Sequence, residues 1–414
     1  MPKLDLYDVT FTDQDDIVPL SGKAIITNDL PFIVNTLAGN DIINADNEIN
    51  DDFYYPGAYP NRVAFYNQAT LNTAEGNDEI TGVVSQNTDF PWEHHGILNE
   101  PGNYLREGRI DTGDGNDILF GIVQPGIYGN GISNKGGTID TGDGDDKIIA
   151  ISYTAGALVI EQGTISTGDG QDKVSGVSPT YGIFLHSGSV LDTGKDNDII
   201  TGSIYSAGII NTGSGEDFIL LQREFINSGN VFLGEGNDSL IADAGFPTFS
   251  FYNYNAIDTG DGHDTITSTG IIYNQGIITT GNGDDSIIVD GSVDGITGSG
   301  YGIYNNGGAI NMGDGNDSII ANGGFESAPN SSGAWFLGEG EDYIKGYGSG
   351  DFYGGNGFDR LELTPGTYTV GIWDRVVLAK GNSLMLASEF EQLIAGDTIY
   401  DFASLTAGQI IVVA

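Results

Sequence analysis

The stretch GGTIDTGDGDDKIIAI (136–151) decides the fold of this chain. Before its glycine-rich centre, Ile139 stands between two polar residues; after the centre, Ile148 and Ala150 would share one face of a strand. Alternation of apolar and polar residues before a glycine-rich corner, and a short apolar run after it, are typical of strand, turn and strand. The stretch therefore predicts one β-strand on each side of a tight corner.

The centre of this stretch recurs as an octapeptide of the form T-G-x-G-x-D-x-I, whose residues we number as positions 1 to 8. Thirteen copies place an aspartate at position 6, namely Asp41, Asp78, Asp117, Asp146, Asp172, Asp198, Asp217, Asp238, Asp264, Asp285, Asp317, Asp342 and Asp359. These aspartates are 17 to 39 residues apart. A repeat of this length indicates one coil of a β-solenoid, with loops inserted where the spacing is long. We expect an all-β chain that forms a single parallel β-helix or β-roll solenoid of about 13–15 coils, with its Gly-Asp corners stacked along one edge.

A second motif, Ile-Tyr-Asn-x-Gly, marks the opposite corner of the same coil. It occurs at 272–276 and 303–307, and a related IYGNG lies at 127–131. Glycine suits these corners because the backbone turns sharply, often with positive φ, and approaches the neighbouring coil.

The composition of the 414 residues excludes several classes of protein. With 58 acidic and 14 basic residues the net charge is −44, so we expect no nucleic-acid partner, because nothing would neutralise the phosphates. The absence of cysteine excludes disulfides and thiolate metal sites. No apolar run is long enough to insert in a membrane, and MPKLDLYDVTFTDQDD (1–16) lacks the features of a secretory signal peptide. We expect a soluble chain whose export, if any, needs no N-terminal signal peptide.

The stacked corners would bring many carboxylates together. Corners one coil apart are about 5 Å apart, and two charges at that distance repel by a few kcal/mol near a protein surface. Calcium suits such a column because it takes six to eight oxygen ligands from carboxylates and carbonyls, whereas magnesium demands a tighter octahedron. The alternative is that each aspartate caps its own turn without any metal.

The predicted calcium ligands are the thirteen motif aspartates together with acids and glycine carbonyls of the same corners. These additional residues are Asp114, Gly115, Asp143, Gly144, Asp169, Gly170, Gly236, Asp261, Gly262, Gly283, Asp314, Gly315 and Gly340. We predict several calcium ions and no other cofactor. Leu37, Ala38, Ala74, Lys195 and Asp196 interrupt the glycine pattern, which disfavours sites in those corners.

GGNGFDRL (354–361) resembles the nonapeptide GGxGxDxUx of the RTX, or haemolysin-type, calcium-binding repeat proteins. The strings at 302–325 and 348–373 are similar to the extracellular RTX-like proteins predicted in cyanobacteria, and the resemblance covers about 100–400. It implies a right-handed β-roll or β-helix, calcium held by the motif aspartate and corner carbonyls, and type I secretion through an uncleaved C-terminal signal. Family repeats are usually tandem, with calcium on both edges; one motif per coil here predicts a single calcium edge.

The motif also sets the expected domain organisation. Residues 1–35 would form an N-terminal cap, and 36–361 the calcium-binding solenoid with insert loops at 44–72 and 81–111. Residues 362–414 would form a C-terminal cap that contains the secretion signal.

Because nearly the whole chain is scaffold, we expect a structural protein at the cell surface or outside the cell, and no enzyme. It would fold on calcium and assemble with itself, head to tail or laterally, into a filament, sheath or surface layer. The alternatives are a carbohydrate-binding or adhesive module that binds extracellular polysaccharide and, less favoured by the strong negative charge, a β-helix enzyme that modifies polysaccharides.

Two aromatic insert loops are the candidates for such binding or chemistry. Their side chains could pack on the solenoid or a second subunit, stack on sugars, or catalyse a reaction. The residues concerned are Tyr54, Tyr55, Tyr59, Arg62, Trp92, Glu93, His94, His95, Tyr104, Arg106 and Arg109. We expect His186 and His263 to be surface residues.

Overall fold

The computed structural model describes residues 4–18, 24–26, 33–46, 62–85, 93–101, 108–243, 249–291, 302–327 and 333–414. The chain forms two compact units, Met1–Ser214 and Gly215–Ala414. In the described residues the helices are two short 3-10 turns, Leu6–Asp8 and Phe402–Ser404. No helix in these ranges is long and apolar enough to cross a membrane.

Short β-strands make up the regular structure of the first unit. They are β1 (Leu4–Asp5), β2 (Ile17–Val18), β3 (Ala24–Ile26), β4 (Ile33–Asn35), β5 (Ile42–Asp46), β6 (Arg62–Asn67), β7 (Thr70–Asn72), β8 (Glu79–Val84), β9 (His94–Asn99), β10 (Arg109–Asp111), β11 (Ile118–Val123), β12 (Gly129–Lys135), β13 (Thr138–Asp140), β14 (Lys147–Ser152), β15 (Leu158–Glu161), β16 (Thr164–Ser166), β17 (Lys173–Val177), β18 (Ile183–Leu185), β19 (Val190–Asp192), β20 (Ile199–Ser206) and β21 (Ile209–Asn211).

The second unit is also built mainly from short β-strands. Its strands are β22 (Phe218–Asn227), β23 (Asn230–Glu235), β24 (Ser239–Ala242), β25 (Phe249–Asn253), β26 (Ala256–Asp261), β27 (Thr265–Ser268), β28 (Ile271–Asn274), β29 (Ile277–Asn282), β30 (Ser286–Val289), β31 (Ile303–Asn305), β32 (Ala309–Asp314), β33 (Ser318–Ala321), β34 (Phe325–Ser327), β35 (Ala334–Gly340), β36 (Tyr343–Lys345), β37 (Gly350–Gly357), β38 (Arg360–Glu362), β39 (Gly366–Ile372), β40 (Val376–Lys380), β41 (Ser383–Ser388), β42 (Gln392–Ala395), β43 (Thr398–Asp401) and β44 (Ile410–Val413).

One coil of the first unit shows the repeating path. β13 enters the glycine-rich corner, β14 leaves it, and β15 follows after a further turn. β13 pairs in parallel with β10 and β16, and β14 pairs in parallel with β11 and β17, all in register. Strands one repeat apart in the sequence therefore lie side by side, which is the path of a parallel β-helix and confirms the predicted fold class in this unit.

The second unit has the same three-strand coil. β26, β29, β32 and β35 form one parallel ladder, β27, β30 and β33 a second, and β28, β31 and β34 a third. The parallel β-helix is confirmed here as well, and its corners carry the octapeptide.

The core of each coil is aliphatic because the strands alternate. In β14, Ile148 and Ala150 are fully buried, whereas the two isoleucines that alternate with them are partly exposed, as the sequence predicted. Ile148 lies in register with Leu119 and Val174 of the adjacent coils, and both are fully buried. Burying each such side chain contributes about 1.5–3 kcal/mol, so every coil extends a continuous apolar column.

The opposite corner is closed by a column of buried asparagines. Asn253 Nδ2 donates to Asn274 Oδ1 (2.9 Å), and Asn274 Nδ2 donates to Asn305 Oδ1 (3.0 Å) and to the carbonyl of Ala309 (3.2 Å). Asn67, Asn99 and Asn134 form the same column in the first unit. The Ile-Tyr-Asn-x-Gly motif at 272–276 and 303–307 therefore marks a corner, as predicted, and its asparagine joins one coil to the next. The prediction was wrong for the related string at 127–131, which leads into β12; Asn134, further along that strand, takes the place of the motif asparagine.

The parallel pattern changes near the C-terminal end of the second unit. β41 and β42 still pair in parallel with β37 and β38, but β39 pairs in antiparallel fashion with β40 and β44. β42 and β43 form an antiparallel hairpin. This segment lies within 362–414, the range assigned to the C-terminal cap.

Candidate metal centre

The octapeptide corner requires glycine at positions 2 and 4. Gly113 and Gly115 have φ values of 84° and 146°, which are rare for residues with a side chain. A Cβ atom on Gly113 would overlap the carbonyl oxygen of Ala74 in the preceding coil, and one on Gly115 would overlap that of Gly76. The carbonyls of one corner therefore point directly at the glycines of the next.

The corners that lack a glycine keep the same turn. Leu37 and Ala74 at position 2 have φ values of 72° and 67°, and Asp196 at position 4 has 69°. A left-handed conformation costs a residue with a side chain roughly 1–2 kcal/mol. The motif aspartates of these corners are as buried as those of the other corners. The substitutions therefore strain the corner without changing its path, and the predicted weakness of their sites stays a prediction.

The motif aspartates form a continuous column in each unit, which we call the aspartate ladder. The backbone N–H of Asp78 donates to Asp117 Oδ1 (2.7 Å), and that of Asp117 donates to Asp146 Oδ1 (2.8 Å). The same bond joins successive motif aspartates from Asp41 to Asp198 in the first unit and from Asp217 to Asp359 in the second. The thirteen predicted aspartates thus keep one register within each unit, and each is at most 2% exposed.

In eleven of the thirteen ladder aspartates, the second carboxylate oxygen has no donor among the described residues. Oδ2 is buried and accepts no hydrogen bond from the described residues in Asp41, Asp78, Asp117, Asp146, Asp172, Asp238, Asp264, Asp285, Asp317, Asp342 and Asp359. A buried carboxylate is costly unless it is paired, protonated or bound to a metal. Each of these corners therefore presents one oxygen that needs a positive partner.

The nearby threonine does not satisfy this oxygen. Thr73 and Thr112 at position 1 lie beside the aspartates of their own corners. However, Thr73 Oγ1 donates to the carbonyl of Thr112 (3.1 Å), and Thr112 Oγ1 donates to that of Thr141 (3.2 Å). A hydroxyl has one proton to donate, so the threonine column binds coil to coil and leaves Oδ2 unsatisfied.

Burial makes the ladder aspartates weak acids when no cation is bound. It raises the pKa of Asp146 from 3.8 to about 8, although the N–H of Asp117 lowers the pKa of this carboxyl. The pKa values of Asp117, Asp238 and Asp317 rise to about 7 for the same reason. Those of Asp78, Asp172, Asp285, Asp342 and Asp359 rise to about 6. Protons and metal ions would therefore compete for these oxygens near neutral pH.

The predicted acidic ligands at position 3 lie elsewhere. Asp114, Asp143, Asp261 and Asp314 are exposed, and Asp169 is half-exposed. No three carboxylate or imidazole side chains converge on one point within the described ranges. An ion at Oδ2 would therefore draw its other ligands from backbone carbonyls.

The predicted glycines supply that backbone. They all have positive φ in corners that contact the next coil, and they are Gly115, Gly144, Gly170, Gly236, Gly262, Gly283, Gly315 and Gly340. Carboxylate and carbonyl oxygens are the ligands that calcium prefers. The corner therefore has the donor set for a hard divalent cation.

A second ladder runs along position 5 and was not predicted. The N–H of Asn77 donates to Asn40 Oδ1 (2.7 Å), and the N–H of Asn116 donates to Asn77 Oδ1 (2.7 Å). These bonds point to the preceding coil, opposite to those of the aspartate ladder. The frequent Asn or Asp at position 5 was the available signal.

The structure adds one acidic residue at each end of the ladders. The N–H of Asp16 donates to Asp41 Oδ1 (2.8 Å), and Asp16 Oδ2 accepts the N–H of Thr12 (2.6 Å). At the other end the N–H of Asp359 donates to Glu391 Oε2 (2.6 Å). Both were missed because their segments lack the corner glycines.

One corner carries its own cation. Lys195 Nζ lies 2.7 Å from Asp169 Oδ2, and both side chains are well exposed. Such surface pairs contribute about 0–1 kcal/mol. Lys195 therefore neutralises charge on the outer side of its corner.

Few of the insert-loop residues are described. His94 and His95 are both buried in β9, and burial lowers the pKa of His95 to about 3, so this ring is neutral at physiological pH. Arg109 Nη2 lies 2.9 Å from Asp111 Oδ2 and 2.8 Å from Asp140 Oδ2. Glu93 Oε1 accepts a hydrogen bond from Asn130 Nδ2 (2.7 Å).

The remaining insert residues lie outside the described part of the chain. Tyr54, Tyr55, Tyr59, Trp92, Tyr104 and Arg106 fall outside the described ranges, and the side chain of Arg62 is not described. His186 and His263 are exposed, as predicted.

Comparison with known proteins adds little to this geometry. No model of a known protein family matches the chain, and no curated protein matches it. Among solved structures, it is similar to a hyperactive, Ca2+-dependent, beta-helical antifreeze protein from an Antarctic bacterium, with 19% identity and a TM-score of 0.48. The similarity covers 88% of this chain and 96% of that chain. At this level we transfer no property of that protein to the present chain.

Proposed function

We propose that this chain is a calcium-binding β-solenoid whose fold depends on ions bound along the aspartate ladder. The observation that supports the proposal is the buried Oδ2 atom that recurs without a donor in corner after corner. A net charge of −44 adds to the demand for cations, because self-repulsion destabilises a compact chain.

The residues of each corner have separate roles in this proposal. The backbone N–H of the preceding aspartate donates to Oδ1, which fixes the carboxylate in the corner. The glycines allow adjacent coils to approach so closely that the carbonyl of one corner contacts the glycine of the next. A bound calcium ion would supply the positive charge that the buried carboxylates lack. Because the site exists only when coils stack, the free energy of binding becomes free energy of folding.

A calcium titration tests the proposal. The protein is stripped with EGTA and followed by far-ultraviolet circular dichroism as calcium or magnesium is added, while bound calcium is counted by equilibrium dialysis. We expect β structure to increase with calcium uptake and much less with magnesium. A chain that is fully β-structured in EGTA and takes up no calcium would contradict the proposal.

We further propose that the chain is an RTX-like protein that is exported and assembles with itself outside the cell. The octapeptide and the absence of any described region other than coils and caps support this role. Electron microscopy with calcium should show filaments or sheets that EGTA disperses. Single particles at every calcium concentration would contradict assembly but leave calcium binding intact.

A carbohydrate-binding role is the second candidate, and an aromatic cluster favours it. Tyr252, Tyr273 and Tyr304 point outward from β25, β28 and β31, and their neighbouring rings lie 5.8 and 5.4 Å apart. Tyr254 is 43% exposed beside them. Sugars stack on such rings. Glycan-array binding that Tyr254→Ala removes, and that Phe358→Ala at a separate exposed ring leaves unchanged, would support this role.

A further inference from the structure

The junction between the last octapeptide corner and the C-terminal segment differs from every regular corner. In two adjacent regular corners, Phe336 pairs with Tyr353 before the corner and Tyr343 pairs with Arg360 after it. Each of these corners therefore contains six residues, 337–342 and 354–359. At the junction, Tyr353 pairs with Ser388 and Arg360 with Gln392. The six residues 354–359 are therefore opposed by three, Glu389, Phe390 and Glu391.

The shortened corner still provides oxygen ligands. Glu389 has a φ of 64°, a left-handed conformation that is unfavourable for a residue with a side chain. Its carbonyl oxygen points at Gly354. A Cβ on Gly354 would also lie 2.8 Å from Asp359 Oδ2, so the carbonyl of Glu389 and this carboxylate oxygen border the same space. Glu391 completes the set, because its Oε2 accepts the N–H of Asp359.

Glutamate suits this position because the corner is short. The N–H of Gln392 donates to the carbonyl of Asp359 (3.0 Å), as position 7 does in regular corners, and the N–H of Glu391 donates to the same carbonyl (3.0 Å). The extra methylene of Glu391 lets the carboxylate reach the N–H that an aspartate accepts elsewhere in the ladder. The replacement of Asp by Glu therefore preserves the ladder at its last step.

Arg360 is a described basic side chain that acts on Asp359, and it balances the acidic charges at the junction only in part. Asp359 is fully buried, and its Oδ2 accepts no hydrogen bond from the described residues. Arg360 is next to it in sequence, but its guanidinium lies 3.1 Å from Glu341 and over the ring of Phe358. Glu389 and Glu391 add negative charge beside Asp359. The buried oxygen thus lacks a directly paired cation, as in the regular corners.

We propose that Asp359 Oδ2, the carbonyl of Glu389 and the carboxylate of Glu391 form a separate calcium site that fastens the C-terminal segment to the solenoid. This inference rests on the proposed function, and it adds ligands outside the octapeptide. The opposing corner is three residues shorter than a regular corner, and Glu389 is exposed. This site is therefore open to solvent on one side. Calcium should therefore exchange faster here than in the regular corners.

The test compares Glu391→Gln with Asp397→Asn. Glutamine keeps an oxygen that can accept the N–H of Asp359 and removes only the charge; Asp397 is an exposed acid of the same segment and gives the matched control. Bound calcium per chain is counted by equilibrium dialysis. Amide hydrogen exchange of β42 and β33 is measured with and without calcium.

We expect Glu391→Gln to bind one calcium fewer and to lose at least tenfold of the calcium-dependent protection in β42, while β33 stays protected and Asp397→Asn behaves as the wild type. An unchanged ion count and unchanged protection of β42 would overturn the inference. If the wild-type protein binds no calcium at all, the inference about the junction is also wrong, but in that case the proposed function itself has failed. Asp359→Asn should remove the same ion, which guards against an effect peculiar to the glutamine.

Discussion

At the scale of single residues, the two oxygens of each ladder carboxylate have different roles. Asp146 Oδ1 accepts the N–H of Asp117, which a neutral amide oxygen could also do. Asp146 Oδ2 has no donor, so only a proton or a cation can stabilise it. The structural and the metal-binding contributions of one side chain can therefore be separated by substitution.

We expect Asp146→Asn to destabilise the calcium-bound protein by about 1–3 kcal/mol, because the amide keeps the Oδ1 acceptor and loses the charge that binds the ion. The exposed acid of the same corner gives the control: Asp143→Asn should change stability by no more than about 0.5 kcal/mol. Urea denaturation at saturating calcium measures both. Equal effects of the two substitutions would contradict a special role for the buried carboxylate.

Glycine at position 4 should matter for space as well as for φ. Gly115→Ala places a Cβ against the carbonyl of Gly76, whereas a Cβ on Gly188, which has a φ of 84°, would meet no atom within 4 Å. Gly188→Ala should cost only the roughly 1–2 kcal/mol of a left-handed alanine. Gly115→Ala should destabilise the protein by about 1–3 kcal/mol more than Gly188→Ala, because its Cβ overpacks the corner. Similar urea midpoints for the two variants would show that contact with the next coil is unimportant.

At the scale of elements, hydrogen bonds between coils determine where each strand ends. The aspartate ladder, the threonine column and the asparagine column all connect positions one coil apart. The aspartate ladder and the position-5 ladder donate in opposite directions along the same corner. A corner is thus held to the coil before it and the coil after it at once.

The asparagine column should contribute strongly to stability. Asn274→Ala would remove the hydrogen bonds that the Asn274 amide donates to Asn305 Oδ1 and to the carbonyl of Ala309 in the core. Each unsatisfied buried group costs about 1–3 kcal/mol. We expect a large drop in the urea midpoint for Asn274→Ala and almost none for Asn382→Ala in an exposed turn. Equal midpoints would mean that water replaces the missing amide.

Much of this could be predicted from the sequence, and the exceptions have one physical cause. Alternation around Ile148 and the recurrence of the octapeptide identified the strands, the corners and the buried aspartates, because these depend on local pattern. The roles of Asp16 and Glu391 were not predictable, since they depend on register with a coil 25 or 32 residues away and their corners lack glycine. The exposure of Asp114 was missed for a related reason, since the number of acidic residues in a corner does not indicate the direction of their side chains.

At the scale of the whole molecule, the charge of −44 makes stability depend on what neutralises the acids. For nine of the ladder aspartates, the folded pKa values of about 6 to 8 lie above the ordinary 3.8. A group of this kind disfavours the folded state above its folded pKa, and the penalty disappears as the pH falls toward 3.8. Protons and calcium should therefore substitute for each other.

We expect the calcium-free protein to gain β structure as the pH falls from about 8 to about 5, in the window where these aspartates become protonated. At limiting calcium the same acidification should release ions, because protons compete for Oδ2. Circular dichroism and a calcium-selective electrode follow the two effects. A calcium-free protein whose β structure declines steadily over this range would contradict the sign of the shifts.

The identical connections between coils also have a consequence for heredity. Thr167 and Asp172 repeat the environment of Thr141 and Asp146 after 26 residues, with the same bonds before and after. Deleting or duplicating such a segment in the gene would reconnect equivalent atoms and leave both neighbours satisfied. Tandem duplication can thus lengthen or shorten the protein by whole turns, while the number of ions it binds changes in proportion.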